Sequence, residues 1–364
     1  MSDVLAMAGL LGLPGMGPRR LQVLLDAFGD PPSTLVAVQR GRAGQVAVPV
    51  AAKHRDDVLQ GWQAAAAGLT IDEIRDRHRR AGVEILHPEH PRWPLQFVDD
   101  PEPPPLLFVA GDAALLATPS VAIVGTRRCT AAGVATARDL GRDLADAGIG
   151  VVSGLALGID GAAHEGSLAG DGPTIGVVAT GLDVVYPRRH RDLWAEVRSR
   201  GVLASEAPLG TAGEKWRFPA RNRLIAALAE LVVVVESPEQ GGSMHTVESA
   251  AARGVEVLAV PGPVRSPVSA GPNQLIAEGC GLVRDVDDVL VALGRGGTSS
   301  GPRREPAAIP ADPVARAVSW PAASLDDIVA ATGLPFGEVA ARLAILELDG
   351  EVERVAEGFQ RVSR

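Results

Sequence analysis

Residues 121–127 read Val-Ala-Ile-Val-Gly-Thr-Arg. An apolar strand runs straight into a glycine, a hydroxyl and a guanidinium, and a helical pattern follows from Ala131. Backbone N–H groups, a helix N-terminus and a fixed positive charge then meet at one point, which makes an anion site. The loop is the wrong one for a nucleotide cofactor. A dinucleotide fingerprint needs three closely spaced glycines and an acid about 20 residues later. Here Gly125 is followed by Thr126-Arg127-Arg128-Cys129-Thr130-Ala131-Ala132 before Gly133, and the next strand, Gly150-Val151-Val152, ends in Ser153-Gly154 with no carboxylate. A P-loop needs a Gly-Lys-Ser/Thr triplet, and neither lysine of the chain, Lys53 or Lys215, sits in one. No cofactor is expected, and the mismatch points toward the phosphates of a nucleic-acid strand.

Around this stretch, residues 106–293 alternate strand and helix. Apolar runs predict strands at 121–125, 149–153, 174–180, 202–205, 231–236 and 255–260. Helical patterns fill 131–147, 159–169, 190–200, 219–229, 243–253 and 272–279. Continuous Val/Ile/Leu strands separated by helices imply a parallel sheet covered on both faces. Ligands of such a sheet bind beyond the carboxyl ends of its strands, and the loops there are rich in glycine, hydroxyl and arginine. The candidate nucleic-acid contacts are Gly125, Thr126 and Arg127; Ser153, Gly154 and Gly158; Arg188; Lys215, Phe218, Arg221, Asn222 and Arg223; and Gly242 and Ser243. Arginines 127, 188, 221 and 223 with Lys215 supply charge, and His190 or Trp216 a stacking surface. Arg221 and Arg223 carry a second reading as salt-bridge caps of the sheet edge. Asp160 reads as a helix N-terminal charge, and His164 and His245 as packed helix residues.

The flanks differ in texture. Residues 1–80 alternate helical patterns with glycine and proline, and Gly12-Leu13-Pro14-Gly15-Met16-Gly17-Pro18 before the amphipathic run Arg19–Phe28 reads as a helix–hairpin–helix or SAM-like element. Its turn carries two readings, a contact to a DNA backbone and a plain helical hairpin. Residues 81–105 form a proline-rich connector that Trp93 and Phe97 pin to the next domain. The Rossmann-like domain spans 106–293, a Gly/Ser/Pro/Arg linker 294–313, and a small unit 314–364. In that unit a capped helix starts at Ser324, a turn at Thr332–Pro335 precedes a second helix, Phe336 to Leu348, and two short strands at 349–354 and 358–362 complete a winged-helix pattern. The ionisable groups of the second helix are Glu338, Arg342 and Glu347, which favours a protein-contact or regulatory role over DNA reading.

Composition bounds the class. A hydrophobic fraction of 46% in 364 residues suits packed cores in two or three domains. No apolar run is long enough for a bilayer and the N-terminus lacks a signal pattern, so the expectation is a cytoplasmic protein. Cys129 and Cys280 read as inert thiols. The formal net charge of −9 opposes long-range attraction to DNA but not a local basic groove.

The motifs Val124-Gly125-Thr126-Arg127, Ser153-Gly154-Leu155-Ala156-Leu157-Gly158-Ile159-Asp160, Gly181-Leu182-Asp183-Val184-Val185-Tyr186-Pro187, Phe218-Pro219-Ala220-Arg221-Asn222-Arg223-Leu224-Ile225 and Val260-Pro261-Gly262 occur in one order across 121–290. Together they resemble the DNA-processing protein A family (DprA, also called Smf). The resemblance implies a single-stranded DNA binder without catalysis that coats incoming strands during transformation and loads the RecA recombinase on them, displacing single-strand binding protein. It also implies a homodimer formed through the Rossmann-like domain, placed near the helix from Pro272 to Gly279 with Leu275 and Ile276. By the same resemblance Arg127 grips a backbone phosphate, Lys215 is the lysine before the Phe-Pro segment, and Arg188 replaces a lysine, keeping the charge but changing the hydrogen-bond geometry. Thr126 stands where serine is frequent. The rival is an enzyme: Gly241-Gly242-Ser243-Met244-His245-Thr246-Val247-Glu248 loosely resembles the Gly-Gly-x-Gly-Thr-x-x-Glu loop of nucleotide phosphoribohydrolases, with Ser243 or Met244 where a glycine belongs. A protein-binding scaffold without DNA affinity is the third reading.

Overall fold

The computed structural model describes residues 2–170, 172–296, 312–318, 322–349, 351–355 and 358–361. Five helices open the chain: α1 (Ser2–Leu11), α2 (Pro18–Phe28), α3 (Pro31–Gln39), α4 (Arg55–Ala66) and α5 (Ile71–Ala81). Two strands follow, β1 (Glu84–Leu86) and β2 (Leu107–Gly111). The alternating part comprises β3 (Ser120–Val124), α6 (Ala131–Asp146), β4 (Gly150–Ser153), α7 (Ile159–Ala169), β5 (Thr174–Val178), α8 (Arg191–Arg200) and β6 (Val202–Ser205). It continues with α9 (Arg217–Ala227), β7 (Leu231–Val234), α10 (Met244–Ala251), β8 (Glu256–Ala259), α11 (Ala270–Ala277), β9 (Gly281–Leu282) and α12 (Val286–Ala292). The C-terminal unit holds α13 (Pro313–Ala317), α14 (Leu325–Thr332), α15 (Phe336–Leu348), β10 (Val352–Val355) and β11 (Gly358–Arg361).

The nine-stranded sheet has the order β1-β2-β6-β5-β4-β3-β7-β8-β9. The six expected strands are there and pair in parallel. The sheet is wider than the apolar runs implied. β1 and β2 add an antiparallel edge, with Leu86 opposite Leu107 and Phe108 opposite Ser205, and β9 extends the other edge in parallel. Proline density masked the first edge: Pro103–Pro105 cannot donate to a ladder, but the buried run Leu107-Phe108-Val109-Ala110 begins just after them.

Alternation along β3 divides the core. Val121 and Ile123 pack with Ala137, Leu140 and Leu144 of α6 and Ala163 of α7. Ala122 and Val124 pack on the other face with Leu224 of α9, Ala250 of α10, and Trp93 and Phe97 of the connector. The two connector rings lie 5.5 Å apart and pin it as expected. Arg253, just after α10, and Asp100 of the connector add a buried ion pair at 2.7 Å. The N-terminal helices share one apolar cluster with the sheet: Leu5, Leu10 and Leu24 meet Phe108, Trp194 and Leu203, and His78 stacks on Phe108 at 5.6 Å.

The C-terminal residues form a winged helix with its own core of Val314, Ile328, Val339, Leu343 and Phe359. Ser324 and Asp327 make a capping box at the start of α14, and α15 has the bounds expected for it. Most of the expected linker 294–313, with Gly350 and Val362 of the wing, lies outside the described residues. Among the described residues no single helix is long and apolar enough to cross a membrane.

Helices α6 and α7 approach so closely that a Cβ on Gly166 would overlap the carbonyl oxygen of Arg138. Gly166→Ala gains about 1 kcal/mol of helix propensity but incurs about 1–3 kcal/mol of overpacking against backbone that cannot rotate away. The expected outcome of thermal or urea unfolding is net destabilisation; an unchanged or raised midpoint would contradict this helix contact.

Candidate nucleic-acid interface

The Gly125–Arg127 loop is fixed from the end of β7. The Thr126 N–H donates to the Glu236 carbonyl at 2.7 Å. The Glu236 carboxylate accepts from the Thr130 N–H at 2.8 Å and the Thr130 hydroxyl at 2.6 Å. That hydroxyl in turn caps α6 by accepting from the Gly133 N–H at 3.0 Å. The Thr126 hydroxyl accepts from the Arg128 N–H at 3.2 Å. Gly125 and Gly158 are packing glycines: a Cβ on the first would strike Ile159 and the Glu236 carbonyl, and on the second the Thr126 carbonyl. The result is a rigid turn that leaves the Arg127 side chain exposed, its guanidinium 5.1 Å from the centre of the Phe218 ring.

Beneath this turn lies a buried guanidinium. Arg221, on α9, donates to the carbonyls of Gly154 at 2.7 Å and Val177, and its Nε to the Asn222 amide oxygen at 3.3 Å. It joins the ends of β4 and β5. Asp160, buried in the first turn of α7, accepts from the backbone N–H groups of Gly154 and Ala156. Burial pushes the Asp160 carboxyl above its usual range, with Arg221 opposing. Burial likewise pulls Arg221 down to about 10, with Asp160 opposing, so Arg221 stays charged at neutral pH. His164, buried one turn further along α7, bonds Thr174 through Nδ1 at 2.7 Å, and burial lowers its pKa to about 3.

A cleft of about 400 Å³ opens over this platform, lined among others by Arg127, Gly154, Thr180, Tyr186, Phe218 and Arg221. Tyr186 and Phe218 pack 5.3 Å apart at 47°. The Tyr186–Pro187 peptide is cis, and the tyrosine is exposed at the rim. A cation on an aromatic pair beside glycine backbone fits an anion followed by a flat ring.

The structure sorts the expected contacts. Arg127, Gly154, Phe218 and Arg221 meet in the cleft. Arg188 and Lys215 are exposed on bordering loops, and among the described residues no carboxylate pairs with Arg127, Arg188 or Lys215. Four expected contacts are engaged elsewhere. Ser153 is fully buried and its hydroxyl donates to the Ile123 carbonyl at 2.6 Å. Ser243 is buried and donates to the Ser237 hydroxyl at 2.8 Å. Arg223 is held by Glu206 at 2.6 Å and the Glu102 carbonyl at 2.7 Å, which realises its sheet-edge reading. The Asn222 amide donates to the Gly242 carbonyl at 3.1 Å, and that loop does not line the cleft.

His190 is half-buried, its Nδ1 3.1 Å from the Leu155 carbonyl and its ring edge against Gly161. Leu155, at φ 52°, takes the left-handed backbone conformation. His245 is exposed rather than packed, 3.1 Å from a solvent-facing Glu248 outside the cleft. Sequence reasoning missed Tyr186 as a cleft wall, although it is the only tyrosine, and missed Glu236 as the organiser of the Arg127 turn.

Comparisons with known proteins decide the family. The model for DNA recombination-mediator protein A matches residues 84–294, and that for the DprA winged helix domain matches 299–358. The chain belongs to the DprA/Smf family. It is 36% identical over 341 residues to the putative DNA processing protein DprA of Mycobacterium tuberculosis, covering 87% of this chain and 85% of that one. It is 34% identical to protein Smf of Escherichia coli over 75% of each chain. The structure resembles DprA of Streptococcus pneumoniae, with a TM-score of 0.64 and 28% identity over 79% of this chain and 97% of that one. It also resembles DNA processing protein A of Helicobacter pylori, a protein described for its single-stranded DNA binding mode, with a TM-score of 0.53 and 30% identity over 58% and 96%.

Two outcomes test the platform. Arg221→Ala strands buried carbonyls and the Asp160 charge, so it should lower unfolding free energy by on the order of 3 kcal/mol; a melting midpoint equal to the parent's would refute the structural role. His164 is neutral when folded, whereas the unfolded chain protonates it near its ordinary 6.5. Its contribution is therefore full above pH 6.5 and lost as pH falls toward 3, at about 1.4 kcal/mol per pH unit. Urea unfolding across that window should show the slope, and His164→Gln should remove the His164 part of it, leaving the part due to His78, whose pKa burial also lowers.

Proposed function

We propose that this chain is a sequence-independent single-stranded DNA-binding protein that protects incoming strands and helps load the RecA recombinase during transformation or recombination. One observation carries the reading: the Arg127 guanidinium, with no salt bridge among the described residues, stands over the Phe218 ring, which packs on Tyr186, and exposed Arg188 and Lys215 lie on the adjoining loops. Arg127 takes a backbone phosphate and the rings take a base, which needs no sequence information. The family, and the DNA described for the Helicobacter pylori relative, support the same ligand.

The remaining features fit around that site. The protein acts without catalysis and without a cofactor, in the cytoplasm. In this reading residues 1–80 are a helical domain, 81–105 its connector, 106–293 the strand-binding domain, 294–313 a linker and 314–364 a partner module. Arg342, the only basic residue of α15, is bound to Glu338 at 2.7 Å and Asp312 at 3.2 Å. The same helix exposes Phe336, Ile345 and Leu348, which suits a protein partner better than DNA. Self-association near α11 would use half-buried Ile276, since Leu275 is a core residue at 5% exposure. A dimer presents two strand sites on one particle, and linked sites hold a long strand more tightly than one.

A gel shift comparing single-stranded with blunt duplex DNA tests the reading. Single strands should bind much more tightly, and Arg127→Ala should weaken that binding by about 1.5–3 kcal/mol while the melting curve stays put. Equal affinity for duplex, or normal binding by a folded Arg127→Ala protein, would overturn it.

A further inference from the structure

A second cleft of about 680 Å³ adjoins the first. The two share Val178, Ala179 and Arg221 in their walls. The segment Lys215-Trp216-Arg217-Phe218 forms the ridge between them: Phe218 faces the first cleft, Trp216 and Arg217 the second. The far wall comes from the helical region, through Met16, Gly17 and Pro18. That turn is firmly held. The Trp62 indole N–H donates to the Pro14 carbonyl at 2.8 Å, and Arg20 donates to the Gly15 carbonyl at 2.6 Å. Helix α2 starts there with Gly17 as an N-cap that has no side-chain cap; Pro18 has no N–H and the Leu21 N–H bonds the Gly17 carbonyl, which leaves the N–H groups of Arg19 and Arg20 to face an anion. Exposed Arg19 follows.

Two features of this cleft suit a nucleotide. Trp216 is 48% exposed, its ring backed at 4.4 Å by the Arg217 guanidinium and its indole N–H tied to Glu214 at 2.5 Å; a fixed, open indole face is a stacking surface. Glu206, in the cleft wall, has one carboxylate oxygen taken by Arg223 while the other, Oε1, is buried with no hydrogen-bond partner among the described residues. A buried acceptor without a donor is costly, and every nucleobase offers an N–H on its edge.

We propose that a strand gripped at Arg127 continues over the Lys215 ridge into this second cleft, where a base stacks on Trp216 and the Gly15–Pro18 turn closes the far side. The DNA site is then composite, built by the sheet edge and the N-terminal helices together. The proposal rests on the single-stranded DNA reading above and extends its footprint.

Gly17 allows a clean test. Its backbone is extended, at φ −132° and ψ 170°, and a Cβ there meets nothing within 4 Å, so the full chain should tolerate Gly17→Asp and Gly17→Arg. Aspartate at an N-cap stabilises a helix, so any loss of binding by Gly17→Asp is not a folding defect. Binding is read by fluorescence anisotropy on oligothymidylates of about four and about sixteen nucleotides, spanning the known range of compact single-strand sites. On the long strand Gly17→Asp should weaken binding by about tenfold, Gly17→Arg should tighten it, and Trp216→Ala should weaken it with recovery in Trp216→Phe. The short strand, held by the first cleft alone, should bind the Gly17 variants as it binds the parent. Arg127→Ala should lose both lengths. If it does, while the Gly17 and Trp216 variants bind the long strand like the parent, the second cleft is overturned and the first stands. If Arg127→Ala binds both lengths normally, the first cleft fails and the second, which continues it, fails with it.

Discussion

The architecture of the cleft depends on one buried cation. Taking a guanidinium out of water costs several kcal/mol unless its donors and charge are met. Arg221 meets both conditions, bonding the carbonyls at the ends of β4 and β5 and lying in the field of buried Asp160. The Gly154 carbonyl belongs to a loop that could otherwise splay, because Gly154 has no side chain to pack and Leu155 sits in a left-handed conformation; the Val177 carbonyl lies within β5. The same guanidinium lines both clefts. Its main work is to hold the walls, and its charge is largely answered from within by Asp160.

Local charge follows from that partition. Several arginines of the domain are committed to structure: Arg223 to Glu206, Arg253 to Asp100, Arg221 to backbone. Around the first cleft Arg127, Arg188 and Lys215, which form no salt bridge among the described residues, are exposed and sit on three loops. A net charge of −9 and a positive groove are therefore compatible. The net charge acts at long range and is screened beyond about 10 Å at ordinary salt, whereas exposed cations act on a phosphate at contact distance.

Strand and helix periodicity made the doubly covered sheet legible, because continuous Val/Ile/Leu runs are what a two-sided burial demands. The antiparallel edge was not legible, since Glu84–Leu86 is three residues long and Leu107–Gly111 hides behind three prolines. At the site, Arg127, Gly154 and Phe218 could be read from loop position alone. Ser153 and Ser243 misled for a physical reason. A hydroxyl at a strand end or helix start has the right chemistry for a phosphate, but burial turned both inward to satisfy other protein oxygens. Glu236 carried no local signal, for its role appears only when the fold brings it to Thr130, 106 positions away. Asp160 read as a helix N-terminal charge, and that reading misses half of what it does, which is to offset Arg221.

The cleft geometry separates affinity from selectivity. Under the proposed function, a strand must bring a phosphate to Arg127 and lay a base against Phe218 and Tyr186 at the same place. In a duplex the bases are stacked inward and paired, so reaching both contacts means unstacking and unpairing, at a cost of a few kcal/mol for each base. A single strand meets both contacts by rotating its own backbone. Charge then sets how tightly any strand is held and weakens with salt, whereas the preference for a single strand comes from the position of two rings beside one guanidinium. That position is held by the Glu236–Thr130 clamp on one side and the buried Arg221 on the other, so in the proposed reading selectivity rests on buried hydrogen bonds rather than on surface charge.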